Sequence, residues 1–201
     1  MTARIACIVE GHGESESVPI LIRRIALMLG SQVNVEIPHP IRIAKSKLLK
    51  AGELERAVAL AALTVKSRGA ILVLVDSDDD CPAELAPALL ARARAARNDL
   101  PIAVVLPNRE FESWFLAAAH SLGGRKGLPP DLEAPPNPEE VRGAKEWLNR
   151  RFVYGGYAPG VDQASFTGAF DLELARRAPS FDKCYREVVK LLQLAQNDAG
   201  E

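Results

Sequence analysis

Acidic side chains are concentrated at one point of the sequence, Asp76-Ser77-Asp78-Asp79-Asp80, where four carboxylates fall within five positions. These like charges repel one another, and a hard cation such as Mg²⁺ that takes oxygen ligands would neutralise them. An uninterrupted apolar run, Ala70 to Val75, leads directly into this cluster. The same residues also fit a solvated acidic turn in which Asp80 caps the next helix, so both interpretations stay open from this stretch alone.

Two glutamates follow another apolar segment, Arg4 to Val9: Glu10 ends it, and Glu14 lies four residues further on. The carboxyl ends of neighbouring parallel strands meet at one sheet edge, with strands about 4.8 Å apart. Glu10 would therefore converge with Asp76 and Asp78 if the two strands are adjacent. An extended backbone would also point Asp76 and Asp78 to the same side. The alternative for both glutamates is pairing with the positive end of a helix dipole.

Converging carboxylates predict a Mg²⁺ or Mn²⁺ site. A zinc site is not expected, because neither Cys nor His has suitable spacing. Gly11-His12-Gly13 is not a phosphate-binding P-loop, since no Gly-Lys-Ser/Thr follows it. The aspartate run is not an EF-hand, because Cys81 stands where that loop needs Gly. The predicted metal ligands are Glu10, Glu14, Asp76, Asp78 and Asp80.

Two further glutamates, Glu110 and Glu112, follow the short apolar segment Pro101 to Leu106. Asn108 is predicted to cap a helix that runs from Arg109 to about Leu122. In its first turn, each glutamate would either stabilise the helix dipole by about 0.3–1 kcal/mol or take a direct catalytic or metal role.

Basic residues that could hold a phosphate occur late in the chain. Lys145 and Lys183 are the predicted contacts, with Arg142 and Arg151 as helpers. Each of these residues taken alone is commonly a solvated surface charge, so only their clustering around the acids would support this role. Lys45, Lys47 and Lys50 are placed in a basic connection between secondary-structure elements.

The elements that must position these residues alternate between strand and helix. Predicted strands cover Arg4–Val9, Gln32–Ile37, the run that begins at Ala70, and Pro101–Leu106. Predicted helices cover a segment capped by Ser15 that ends at Gly30, then Leu54–Val65 and about Pro82–Arg97. This alternation predicts an α/β fold with a parallel sheet flanked by helices.

The amino-acid composition of the chain changes after Leu122. Residues 123–138 contain three glycines and five prolines, which indicates a linker. We therefore divide the chain into an α/β metal-binding domain, residues 1–122, and a linker with a helical C-terminal extension, residues 123–201, packed on the same core. The predicted helices of the extension are Glu139–Phe152, Ser165–Arg176 and Phe181–Gln196.

Composition restricts the partners and the compartment. The 201 residues carry a net charge of −1, so a polyanion would have to be held by a local basic patch. Three scattered cysteines fit a reducing environment. No signal segment and no apolar run of about 20 residues is apparent, so a cytoplasmic protein that does not cross the membrane is expected.

The pattern Val9-Glu10-Gly11-x-x-Glu14 together with Asp76-x-Asp78 resembles the Toprim domain, the metal-binding fold of topoisomerases, primases and the overcoming-lysogenisation-defect (OLD) nucleases. Further segments resemble a bacterial Toprim-like family known as domain of unknown function 4276. They are Arg109–Trp114, Lys145–Leu148, Asp162-Gln163, Asp171-Leu172 and Ser180–Lys183. The resemblance covers nearly the whole chain and implies a Toprim-like sheet.

The resemblance implies that Glu10, Asp76 and Asp78 bind the metal, and that Glu14 is the second glutamate of the nuclease branch. Glu10 could instead act as a general acid or base. No tyrosine is recognisable as a topoisomerase nucleophile and no primase module is present. Metal-assisted hydrolysis of DNA or RNA therefore remains. The resemblance to the OLD nucleases, in which an ATPase is fused to the Toprim domain, further implies a role in phage defence with a separate ATPase partner.

Two alternatives stay open. Asp76-x-Asp78 after a strand is also the core of the haloacid-dehalogenase phosphatase motif, in which Asp76 would be the nucleophile. The chain could also be a binding module that keeps the fold without catalysis. The sequence does not distinguish DNA, RNA and nucleotide substrates, nor does it indicate an oligomeric state.

Overall fold

A computed structural model describes residues 2–30, 34–65 and 69–197. A parallel sheet forms its centre, and the sheet's strand order is β2-β1-β4-β5, with β3 paired to β1 beside β2. Its strands are β1 (Thr2–Val9), β2 (Asn34–Glu36), β3 (Ile41–Arg42), β4 (Ala70–Leu74) and β5 (Ile102–Val105). The predicted α/β class with a parallel sheet is confirmed.

The α-helices are α1 (His12–Met28), α2 (Lys45–Leu48), α3 (Glu53–Val65), α4 (Pro82–Ala96), α5 (Ser113–Ala117), α6 (Ala144–Asn149), α7 (Pro159–Thr167), α8 (Leu172–Ala175) and α9 (Pro179–Asn197). Short 3₁₀ helices cover Ala119–Leu122 and Pro138–Glu140. None of the described helices has both the length and the apolar character needed to cross a bilayer.

Side chains of the central strands are buried on both faces of the sheet. In β4, Ile71 and Val73 pack with α3 and α4, whereas Leu72 and Leu74 pack in the core on the opposite face. This two-sided burial explains why the strand is a continuous apolar run rather than an alternating one. The pairing of β1 with β4 brings Val9 opposite Leu74, so the two strands end side by side.

The core on the second face combines residues from early and late parts of the chain. Phe111, Trp114 and Phe115 pack with Phe166 and Phe181 in one cluster of edge-to-face and tilted rings. Helix α9 also packs on β1, β4 and β5. Residues on both sides of the predicted boundary at residue 122 therefore contribute to one core.

Helix α1 begins four residues earlier than predicted, at His12 rather than after Ser15. Gly11 precedes its first residue, and the Ser15 hydroxyl donates to the Gly11 carbonyl oxygen instead of capping the helix. Pro19 therefore lies inside the helix and not in its first turn. The predicted edge strand at 32–37 is observed as Asn34–Glu36, and Gln32 and Val33 lie outside the described residues.

The predicted helix from Arg109 to Leu122 is wrong. Arg109 has a left-handed backbone, with φ of 65°, and the chain turns there before α5 begins at Ser113. The predicted helix Glu139–Phe152 is likewise interrupted by Gly143, with φ of 71°. The predicted helix Ser165–Arg176 is observed as α7 and α8, two separate helices. Strand β3 was not predicted, because two residues are too few to show a period.

Candidate active site

A cavity of about 330 Å³ lies where β1 and β4 end, and we call it the acidic cavity. The parallel register explains its position, because residues that follow neighbouring strand ends emerge at the same edge of the sheet. The polar side chains that carry the argument below are those of Glu10, Glu14, Asp76, Asp78, Lys145 and Gln163.

Glu10 follows β1 and lines the cavity with one carboxylate oxygen already engaged. Its Oε1 atom accepts a hydrogen bond from the backbone N–H of Lys45 at 3.2 Å. Its Oε2 atom is buried and has no hydrogen-bond partner within the described ranges. A buried charged oxygen without a partner is costly, which makes Oε2 a candidate ligand for a cation.

Glu14 lies in the first turn of α1 and is buried. Its Oε1 atom accepts a hydrogen bond of 2.9 Å from Nε2 of Gln163 in α7. Gly13 permits this contact, because a Cβ atom there would overlap the Gln163 side chain. The glycine next to Glu14 therefore serves close packing of α7 on α1, and Glu14 is held in place at the cavity wall.

Asp76 and Asp78 occupy different environments. The Asp76 side chain is 13% exposed, and its Oδ1 atom accepts a hydrogen bond of 2.9 Å from the backbone N–H of Phe111. The Asp78 side chain is 64% exposed, and its backbone is left-handed, with φ of 51°. The predicted extended backbone from Asp76 to Asp78 is therefore wrong, although both side chains line the acidic cavity.

A buried lysine that the sequence did not single out holds the aspartate loop. The Nζ atom of Lys45 donates to Oδ2 of Asp78 at 3.0 Å and lies 2.9 Å from Oδ2 of Asp80. It also donates to the carbonyl oxygen of Ser77. Asp80 is thus engaged with Lys45. The sequence signal was too weak to find this role, because Lys45 looked like one of several lysines in a basic loop.

Lys145 is the centre of a second group of acids, at the start of α6. Its Nζ atom lies 3.5 Å from Glu110, 3.5 Å from Glu112 and 3.9 Å from Asp76. Both glutamates precede α5 rather than occupying its first turn, and Glu112 is the residue directly before the helix, although its side chain makes no capping hydrogen bond. The turn at Arg109 instead directs their side chains to this lysine.

Burial changes the protonation of this group. Desolvation raises the pKa of Glu112 to about 7, although the charge of Lys145 and the hydrogen bond from the Tyr157 hydroxyl act in the opposite direction. Desolvation also raises the pKa of Asp76 well above its usual range, and the charge of Glu112 adds to this effect. Desolvation lowers the pKa of Lys145, but the surrounding carboxylates outweigh it and the net shift is upward. Lys145 is therefore protonated at neutral pH.

The remaining predicted basic residues do not join the acidic cavity. Lys183 lines a separate cavity beside Ser180 in α9. Arg142 lies 3.1 Å from Asp79, and Arg151 covers the ring of Trp147 at 3.3 Å. Of the predicted phosphate contacts, Lys145 alone is among the residues that line the acidic cavity.

A family described as Domain of unknown function (DUF4276) matches residues 9–188. The chain belongs to this family. No curated protein and no solved structure matches the chain. The matched range begins at the end of β1 and extends into α9, so the DUF4276 region includes every candidate site residue from Glu10 to Lys183.

The carboxylate oxygens of the acidic cavity are the type of ligand that Mg²⁺ and Mn²⁺ prefer. In the part of the chain that the structure describes, no three Asp, Glu, His or Cys side chains already stand in a metal-holding geometry. Ammonium groups lie against the carboxylates instead, Lys45 at Asp78 and Lys145 at Asp76. The residues with oxygens available for a cation are Glu10, Glu14, Asp76 and Asp78.

Proposed function

We propose that this DUF4276 chain is a phosphoryl hydrolase that depends on Mg²⁺ or Mn²⁺ and cleaves phosphodiester bonds in nucleic acid. The observation that carries the proposal is the meeting of Glu10, Glu14, Asp76 and Asp78 at one cavity beside two strand ends. The buried, unpaired Oε2 atom of Glu10 supports it, because a cation would satisfy this oxygen.

The proposed cation would be held by Glu10, Asp76 and Asp78, with Glu14 at the cavity wall. A bound cation of this type polarises a phosphate and lowers the pKa of an attacking water. Asp76 is oriented for this role by the backbone N–H of Phe111, which leaves Oδ2 directed towards the Lys145 side of the site. Glu14 is oriented by Gln163 in the same way.

Lys145 contributes a fixed positive charge. Its side chain is 35% exposed and reaches the acidic cavity. The carboxylates of Glu110 and Glu112 pair with its ammonium group and fix its position. A protonated ammonium in this position suits a non-bridging phosphate oxygen, whose developing charge it would stabilise. Glu112 thus acts through Lys145 and is proposed as a positioning residue, whereas Lys145 is proposed to contact the substrate.

The resemblance to the Toprim domains of OLD nucleases supports the same chemistry. Within this proposal, the chain acts in phage defence with a separate ATPase, since OLD proteins carry an ATPase fused to their Toprim domain. The parallel sheet with acids at the ends of β1 and β4 is compatible with this relationship.

The phosphatase alternative assigns Asp76 as a nucleophile. One Asp76 oxygen is engaged by Phe111, and burial raises the pKa of this carboxyl well above its usual range. A nucleophilic carboxylate and a metal-binding carboxylate must both be ionised, so in either role the charge of a bound cation has to offset the desolvation of Asp76.

Cleavage assays distinguish the three hypotheses. Labelled single-stranded DNA, duplex DNA and RNA, and separately a small phosphomonoester, are incubated with the purified chain and Mg²⁺ or Mn²⁺. We expect nucleic-acid cleavage that chelator abolishes and that Asp76→Asn removes. The matched control is Asp79→Asn, an exposed aspartate of the same loop that pairs with Arg109. Turnover of the phosphomonoester alone would support the phosphatase, and no turnover of any substrate would support a binding module.

A further inference from the structure

A second cavity, of about 480 Å³, lies at the edge of the sheet on the other side of Glu10. It is built by β3, the short helix α2 and helix α3, and we call it the basic groove. Its charged side chains are those of Arg42, Lys47, Arg56 and Glu53, and Glu10 completes the wall. The basic groove shares Glu10 with the acidic cavity, so a ligand that passes over Glu10 reaches both.

The charge of the basic groove is opposite to that of the acidic cavity. Arg42 is exposed, and the side chains of Lys47 and Arg56 are 61% and 75% exposed. Besides Glu10, the basic groove contains one acid, Glu53, whose carboxylate lies 3.7 Å from Lys47 and 3.1 Å from Arg56. Three cations against two carboxylates, Glu53 and the shared Glu10, leave an excess of one positive charge beside a site that otherwise repels polyanions.

The groove also has an apolar floor. Ile41 and Ile43 are half-buried on either side of Arg42, and Leu60 of α3 is a large apolar side chain with 51% exposure. Cations that alternate with apolar surface suit a strand that presents both phosphates and unpaired base faces. A duplex hides its base faces within the stack, whereas a single strand offers them.

We propose that the basic groove binds the backbone of single-stranded nucleic acid and guides it over Glu10 to the acidic cavity. This inference names the substrate-binding surface of the proposed nuclease and rests on that proposed function. Arg42 of β3 and Arg56 of α3 contact phosphates from the two sides of the groove, and Lys47 of α2 provides a third phosphate contact. The bases pack against Ile41, Ile43 and Leu60.

Binding is measured by fluorescence anisotropy with a labelled single-stranded oligothymidine, in chelator and at low ionic strength, so that neither metal nor cleavage is required. The groove variant is Arg42→Gln/Lys47→Gln/Arg56→Gln. Its control is Arg23→Gln/Arg186→Gln/Lys190→Gln, which removes the same charge from α1 and α9. The control also disrupts two ion pairs, those of Arg186 with Asp182 and of Lys190 with Glu187.

We expect the groove variant to bind at least about tenfold more weakly than the control, and the slope of log affinity against log salt to fall by about two. Wild type should prefer the single strand over a duplex of the same length. Equal affinity in the groove and control variants would overturn the proposal, as would tighter binding of the duplex. The single variants Arg42→Gln and Arg56→Gln carry the test if the triple variant does not fold, and each should weaken binding.

The result is separable from the proposed chemistry. Groove-dependent binding without any cleavage in Mg²⁺ or Mn²⁺ would support the role of the basic groove and reject the nuclease proposal. Cleavage in which wild type and groove variant have the same KM for a single-stranded substrate would support the nuclease and reject the groove.

Discussion

The Nζ atom of Lys145 lies 3.5 Å from a carboxylate oxygen of Glu112, a side chain with no exposed surface. The other Glu112 oxygen accepts a hydrogen bond from the Tyr157 hydroxyl at 2.8 Å. Lys145, which follows the predicted linker, is thereby paired with Glu112, which lies in the loop after β5. This pair connects the late part of the chain to the sheet edge.

Metal binding should depend on Asp76. We expect Mn²⁺ affinity in isothermal titration calorimetry to fall by at least about tenfold in Asp76→Ala, because the substitution removes an oxygen ligand from a small set. Asp79→Ala is the matched control and should bind like wild type, because Asp79 pairs with Arg109 and Arg142 outside the acidic cavity. Equal affinity of the wild type and Asp76→Ala would show that the metal, if bound, lies elsewhere.

Asp76→Asn should leave the metal-free fold unchanged in stability or raise it. The substitution keeps an oxygen for the backbone N–H of Phe111 and removes one carboxylate from beside Glu10, Glu14 and Glu112. Thermal unfolding in chelator at pH 8 measures this effect. Asp76→Ala should unfold at a lower temperature, because it leaves the Phe111 N–H unpaired. A drop of many degrees in Asp76→Asn would instead identify Asp76 as a structural residue.

The free energy of unfolding should fall as pH rises from about 4.5 to 7. Glu112 has a pKa of about 7 in the folded chain against an ordinary 4.5, so the folded state holds more protons in that window. The loss is on the order of 3 kcal/mol for a shift of this size. Urea titrations in chelator across this range should give a flatter pH dependence for Glu112→Gln than for wild type. Glu187→Gln, on α9, should keep the wild-type dependence.

Removal of the Lys145 ammonium should destabilise the chain most at high pH. In Lys145→Met the carboxylates of Asp76, Glu110 and Glu112 lose their common counter-ion, and we expect a loss of about 1–3 kcal/mol at pH 8. The loss should shrink at pH 5, where Glu112 is protonated even without the lysine. Lys183→Met is the control, because Lys183 lines a different cavity. Equal losses at both pH values would show that Lys145 acts through packing alone.

The sequence by itself determined the class of fold and the strand-end acids. The two-sided burial of β1 and β4 demands continuous apolar runs, and such runs are visible without any structure. Glu10 and Asp76 could be placed at one edge because parallel strands put their carboxyl ends together. The predicted bounds of helices α3 and α4 also agree closely with the observed ones, since each helix has a clear apolar period on one face.

Tertiary structure decided the partners of those acids. Lys45 and Lys145 are far from the acids along the chain, and nothing in local periodicity distinguishes them from surface lysines. Left-handed turns at Asp78 and Arg109 direct the side chains, and these backbone angles arise from contacts between loops, such as the hydrogen bond from Asp78 N–H to the Arg109 carbonyl. Lys183, like Lys145, lies in a segment that carries the family resemblance, yet its position on α9 faces another cavity because α9 packs across the sheet. Spacing along a chain specifies which residues share a strand or a helix face, whereas the pairing of distant charges depends on how those elements pack.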